Sequence, residues 1–166
     1  AYGYLRRLEH RLQMVADEMI TRSEALARAE IAKIPNGIYA RDVIIGIDNG
    51  EDVTIGCKVT ITDEEIEIDF GGSSAQVKTA VNCTLTYTAS YTTFAVNAML
   101  DLPIKMNEGT LAPLTIKADP GSILNCTFPA PVFARTSIGN YMAEIVFGTI
   151  AEAVPDRICA GAGSTP

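Results

Sequence analysis

Five polar residues stand where loops meet apolar runs. Asp69 closes an alternating apolar stretch and precedes Gly71 and Gly72. Asn82 lies just before a helical pattern, and Asn107 and Glu108 form a polar turn with Gly109. Arg135 precedes Thr136 and Ser137 at the start of the last apolar helix. Short polar groups of this kind suit hydrogen bonding to a ligand, each bond contributing about 1 kcal/mol net. Glu108 becomes a general base if burial raises its pKa. Arg135 beside a helix N-terminus can hold a carboxylate or phosphate. Each residue also has a plain structural reading. Asp69 suits a glycine turn, Asn82 a helix N-cap, and Asn107 with Glu108 a turn closed by Gly109 at positive φ.

No familiar catalytic motif accompanies them. The sequence has no GxSxG, HExxH, GxxxxGK[ST] or strand–GxGxxG–helix pattern. Its one histidine, His10, sits among Arg6, Arg7, Glu9 and Arg11 and reads as a solvated helix residue. Cys57, Cys83, Cys126 and Cys159 are too widely spaced for a zinc pattern. They are expected to be reduced, none a nucleophile, with Cys83 the one nearest a helix start. No metal ligands are expected in this chain. The Asn-Cys-Thr triplets at 82–84 and 125–127 read as incidental.

Composition narrows the class. With 166 residues, 48% hydrophobic and 20% charged, the chain is long enough for one domain with a real core. Net charge is −7, and residues 36–166 carry fifteen acidic against seven basic side chains. That balance repels polyphosphate, so no nucleic-acid partner is expected. No apolar run reaches the ~18 residues of a membrane span. A cytoplasmic location is expected. The ends read as those of an internal piece of a longer polypeptide, whose apolar surface meets other protein.

The elements that must position these residues follow from periodicity. Leu5, Leu8, Leu12, Val15 and Met19 step by three and four inside a helix over 4–33, read as an amphipathic helix packed on a domain. Pro35-Asn36-Gly37 stops it. Residues 38–47, 53–61 and 66–70 read as an antiparallel meander, with turns at 48–50 and 62–65. A threonine-rich helix over 82–100, a loop over 101–109, a short strand over 114–118, an extended segment over 128–133 and a helix over 137–154 complete the chain. The fold class is α+β: residues 1–36 a long amphipathic helix, residues 37–166 an α+β portion of a larger subunit.

Ile68-Asp69-Phe70-Gly71-Gly72-Ser73-Ser74-Ala75-Gln76-Val77, then Val81-Asn82-Cys83-Thr84, resembles the DF-(S/T)-GTSPQV…(V/I)NC stretch of the hydantoinase B/oxoprolinase family. Asn107-Glu108-Gly109, the block from Leu114 to Asn125, the segment from Gly148 to Pro155 and the helix exit from Ile34 to Tyr39 are similar to that family in the same order. One departure stands out: Phe133-Ala134-Arg135-Thr136-Ser137 replaces the family's glycine-rich entrance to the last helix.

The resemblance implies the B-type part of an ATP-dependent cyclic-amide hydrolase of the hydantoinase or 5-oxoprolinase kind. It implies two partners: a hydantoinase A-type polypeptide that supplies ATP and Mg, and the remaining part of the B-type polypeptide. A divalent metal would be held in that remaining part. A ketone carboxylase of the acetone or acetophenone kind, and a non-catalytic structural piece, are the alternatives. Glu108 is the expected catalytic residue. Asp69, Asn82, Asn107 and Arg135 are expected to bind substrate, with Asp69, Asn82 and the turn at Asn107-Glu108-Gly109 along one side of a cleft.

Overall fold

A computed structural model describes residues 2–47 and 50–158. Helix α1 (Tyr2–Ile31) leads into strands β1 (Gly37–Gly46), β2 (Asp52–Thr62) and β3 (Glu65–Asp69). Helices α2 (Leu85–Leu100) and α3 (Glu108–Leu111), strand β4 (Leu114–Lys117) and helix α4 (Thr136–Ile150) follow, with a 3-10 turn at Pro155–Arg157. The architecture is α+β, as the periodicities predict.

The sheet runs in the order β1-β2-β3-β4. Its first three strands form the expected antiparallel meander, with Tyr39 opposite Val59 and Val59 opposite Ile68. Strand β4 joins parallel to β3, setting Ile116 beside Ile68. Such a pair needs a long crossover, and the segment from Phe70 to Pro113 with α2 and α3 supplies it. The alternation of β2 is realised in burial: Val53, Ile55, Cys57, Val59 and Ile61 all point into the core. The tight reversal before β3 places Asp63 in the left-handed region, at φ 51°, and the Asn36 Oδ1 accepts from its N–H. The turn expected at 48–50 falls partly outside the described residues. Gly50 adopts φ 79° and donates to the Ile47 carbonyl.

Helix α4 lies against β1 and β2, and α2 packs on α4. Ile138, Met142, Ile145 and Ile150 of α4 meet Ala95, Val96, Met99 and Leu100 of α2 in one continuous core. Three threonines of α2, Thr88, Thr92 and Thr93, are buried despite their poor helix propensity. Two of them satisfy their hydroxyls on backbone: Thr88 donates to the Leu124 carbonyl at 2.7 Å and Thr92 to that of Thr88 at 2.8 Å.

Several expectations need correction. Helix α2 begins at Leu85, not at Asn82, because Thr84 is the N-cap and accepts from the Tyr87 N–H. The expected loop over 101–109 ends in helix α3, and Gly109 is not at positive φ. It is required there for space: a Cβ on Gly109 would run into the backbone of Ile20 in α1. The segment expected to be extended over 128–133 begins with a turn at Phe128 and Pro129, closed by the Ala130 N–H donating to the Thr127 carbonyl. The largest difference concerns α1. It packs on the body through Ile20, Ser23, Ala27 and Ile31, while Leu5, Leu8, Leu12, Val15 and Met19 are all exposed.

Candidate functional site

The segment from Phe70 to Thr84 carries the family-like motif and is held by its own polar side chains. Beyond the reach of β3, the open edge of β2 pairs with this segment. The Ser74 hydroxyl accepts from the Thr54 N–H at 2.9 Å, and the Ser74 N–H donates to the Thr54 carbonyl at 2.8 Å. The Ser73 hydroxyl accepts from the Gly56 N–H and donates to the Phe70 carbonyl. Serines thus satisfy backbone groups that would otherwise be stranded at a buried edge. Gly56 is needed at this crossing, since a Cβ there would meet the Gly71 carbonyl oxygen at 2.9 Å.

Asp69 stands at the start of this segment. Its Oδ1 accepts from the Gly71 N–H at 2.8 Å, and Oδ2 pairs with the Lys58 ammonium at 3.1 Å. The Gly71 hydrogen bond first, then Lys58, holds the carboxyl below its ordinary pKa. Asn82 stands at its end and is 0% exposed. Its Oδ1 accepts from the Val77 N–H at 2.8 Å. Its amide nitrogen donates to the carbonyls of Val77, Thr79 and Pro131 at 2.8, 3.1 and 2.9 Å. The carboxamide is saturated by backbone and joins the 77–82 loop to the 126–135 loop.

Next to Asn82, the Cys83 thiol reaches the Arg135 carbonyl at 3.5 Å. Arg135 occupies the cap position of α4 in a helical conformation and caps nothing with its side chain. Its guanidinium donates to the Val132 carbonyl at 3.2 Å and lies 5.3 Å from the centre of the Tyr87 ring. That distance is within cation–π range. Tyr87 in turn stacks obliquely on Tyr91, with ring centres 4.9 Å apart. The Tyr87 hydroxyl is buried with no hydrogen-bond partner, and burial pushes its pKa up to about 12. It presses on Gly139 near the start of α4, where a Cβ would collide with the phenol ring.

Asn107 and Glu108 belong to a separate corner. The Asn107 Oδ1 accepts from the N–H groups of Gly109 and Thr110, and the Thr110 hydroxyl accepts from the Asn107 N–H, a reciprocal capping box. The Asn107 amide donates to the Ser23 hydroxyl of α1 at 2.8 Å. Glu108 opens α3 and its side chain is exposed. Nearby, a cleft of about 490 Å³ runs between Leu85, Thr86, Ala89, Ser90 and Thr93 of α2 and the pair Met106 and Leu111. None of the five sequence-predicted residues lines it.

The structure therefore brings Asn82 and Arg135 together through Cys83, sets Asp69 at the far end of the same segment, and places Asn107 and Glu108 on the α1 side. Sequence reasoning missed Tyr87, whose ring lies under Arg135 and whose buried hydroxyl packs against Gly139. Gly139, one of two glycines inside α4, is the signal that could have pointed to it.

Cys57, Cys83 and Cys126 are free, and Cys159 lies outside the described residues. Burial raises the Cys57 and Cys83 thiols to about 11 and about 12, so neither is a thiolate near neutrality. Among the described residues no group of three His, Cys, Asp or Glu side chains could hold a metal ion. Among them, too, no helix is long and apolar enough to cross a membrane.

Comparison with known proteins decides the family. The model of the hydantoinase B/oxoprolinase family matches residues 8–166. The chain belongs to the hydantoinase B/oxoprolinase family. A Pseudomonas sp. (strain NS671) protein, assigned as the B-type subunit of a D-/L-hydantoinase, is 28% identical over 92% of this chain and 28% of its own length. The 5-oxoprolinase of Dictyostelium discoideum is 34% identical over 60% of this chain and 8% of its own length. The ATP-dependent caprolactamase of Pseudomonas jessenii shares the fold, with TM-score 0.81 and 21% identity over 94% of this chain and 28% of that chain. A nucleotide-free acetone carboxylase aligns with TM-score 0.60 and 17% identity over 80% of this chain and 21% of that chain. The chain thus spans little more than a quarter of the length of the hydantoinase and caprolactamase polypeptides it matches.

Proposed function

We propose that this chain is part of the B-type subunit of an ATP-dependent cyclic-amide hydrolase of the hydantoinase or 5-oxoprolinase kind. The observation that carries the reading is the family match over residues 8–166. Relatives that agree in sequence as well as family are a B-type hydantoinase polypeptide and a 5-oxoprolinase. A hydantoinase A-type polypeptide or domain supplies ATP and Mg in this proposal. Any divalent metal is held, in this proposal, by the rest of the B-type polypeptide. The compartment proposed is the cytoplasm.

Within that scheme the residues of this chain take different roles. Arg135 is proposed to meet a carboxylate or phosphate oxygen, since its guanidinium is held in place yet exposed. Asn82 and Asp69 act as positioning residues that fix the two ends of the Phe70–Thr84 segment. Asn107 fixes α3 on α1, so that Glu108 projects from a defined helix start. Glu108 serves as a base when another polypeptide covers it and removes water from its carboxylate.

The test is an assay of the complete B-type polypeptide with its A-type partner. Hydantoin or 5-oxoproline should be opened only when ATP is present, with ADP formed alongside the ring-opened acid. ATP-independent opening, or no opening of any cyclic amide tried, would reject the assignment. Bicarbonate-dependent loss of a ketone would move the chain to the carboxylase branch.

A further inference from the structure

Strand β1 stands at the edge of the sheet, so among the described residues one of its sides faces no other strand. Its pairing with β2 fixes which backbone groups face that side. The Ile47 N–H donates to the Glu51 carbonyl at 2.9 Å. In an antiparallel ladder, hydrogen-bonded pairs then recur at every second residue: Ile45 with Val53, Val43 with Ile55, Arg41 with Cys57 and Tyr39 with Val59. The backbone of Ile38, Ala40, Asp42 and Ile44 therefore turns outward. Strand β2 agrees. Thr54 and Gly56, opposite Ile44 and Asp42, direct their N–H groups away from β1 to the hydroxyls of Ser74 and Ser73. All four outward-turned residues of β1 are exposed, and their N–H and carbonyl groups bond to no described residue outside the sheet.

Open edges are usually blunted by a proline, a lysine, a bulge or a short strand. Strand β1 is ten residues long, holds no proline or lysine, and pairs with β2 without a bulge. The Arg41 guanidinium is turned onto α4, where a Cβ on Gly148 would run into it, so it does not guard the edge. Ile38 and Ile44 stand 71% and 70% exposed beside the unpaired groups. We propose that an extended strand from the remaining part of the B-type polypeptide completes the sheet along the outer side of β1. Its backbone satisfies all four outward residues. It carries apolar residues beside Ile38 and Ile44, and a basic residue or a hydroxyl beside Asp42. The same polypeptide is the source, since this chain matches only 28% of the hydantoinase polypeptide and 28% of the caprolactamase one. A second copy does not fit. A two-fold axis normal to the sheet keeps each side chain on its own face, so odd positions meet odd and even meet even. The two registers that overlap nearly the whole strand then set Arg41 against Arg41 or Asp42 against Asp42, and like charges directly opposite are destabilising.

The inference rests on family membership and not on which reaction the parent enzyme performs. Its test is hydrogen exchange at residue resolution on the complete B-type polypeptide. The amides of Tyr39, Arg41, Val43 and Ile45 donate to β2 and report that β1 itself is folded. The amides of Ile38, Ala40, Asp42 and Ile44 should exchange within about tenfold of that set. A larger gap, with the inward set protected, would overturn the proposal. A photo-reactive benzoylphenylalanine in place of Ile44 identifies the occupant. The expected adduct is intramolecular, to a segment of the B-type polypeptide outside this chain. An adduct to the A-type polypeptide, an adduct joining two B-type copies, or no adduct at all would also overturn it.

Discussion

The buried carboxamide of Asn82 donates a hydrogen bond to the carbonyl of Pro131, 49 residues further along the chain, at 2.9 Å. With its bonds to Val77 and Thr79, this one side chain fastens the Phe70–Thr84 segment to the loop that delivers Arg135. Asn82→Ala leaves backbone groups without partners in a dry site. The expected loss is about 2–4 kcal/mol of folding stability, read from urea unfolding. Asn82→Asp should be as damaging, because it turns a donor into an acceptor facing three carbonyls. Activity of the parent enzyme should fall in step with stability. A variant that keeps full stability but loses turnover would instead make Asn82 a substrate contact.

Asp69 gives a pH signature. Its folded pKa is depressed, mainly by the Gly71 N–H and then by Lys58. A depressed carboxylate contributes stability above its unfolded pKa, about 3.9, which is lost as pH falls through the lower folded value. Urea midpoints should therefore separate native chain from Asp69→Asn at pH 7 and converge toward pH 3. A gap that persists at low pH would assign the loss to the shape of the turn, not to the charge.

The thiols give the opposite sign. Cys57 and Cys83 have folded values of about 11 and about 12, above the ~8.5 of a free thiol. Their burial is fully compatible with folding below that free value, and stability falls as pH rises from there toward the folded values. At pH 8, iodoacetamide should leave both residues unlabelled in the folded chain and modify them after denaturation. Cys83→Ser should keep turnover of the parent enzyme within a few fold. Rapid native labelling at Cys83, or loss of turnover with folding intact, would reveal an activated thiol.

Particular residues show what was legible in the sequence. Period-two alternation placed Val53, Ile55, Cys57, Val59 and Ile61 in the core because a strand has only two faces. The same logic failed for α1. Helical spacing shows that Leu5 to Met19 form a stripe, but not whether this chain supplies the surface that covers it. Asn82 is legible by its position in the motif, but not as a helix N-cap, since Thr84 is also a good cap and lies two residues closer to the helix. The pairing of Asn107 with Ser23 across 84 residues leaves no local pattern. Arg135 was legible as a departure at a helix entrance, whereas Tyr87 became visible only once α2 and α4 were packed.

Tyr87 separates structure from chemistry. Its hydroxyl is buried without a partner, so Tyr87→Phe should leave this chain equally stable or slightly more so by thermal melting. In the parent enzyme the same change should leave kcat/KM within a few fold, because the hydroxyl is packed against Gly139 and the ring that lies under Arg135 is kept. Loss of turnover with folding intact would instead make the hydroxyl a substrate contact.

The central claim is that this chain serves ring hydrolysis and not carboxylation. The most direct measurement follows carbon-labelled bicarbonate and a cyclic amide in one reaction of the complete A- and B-type enzyme with ATP. The account predicts ATP-dependent appearance of the ring-opened acid at the same rate with and without bicarbonate, and no label in any product. Label entering an organic acid when a ketone is supplied, with the cyclic amide untouched, would contradict it.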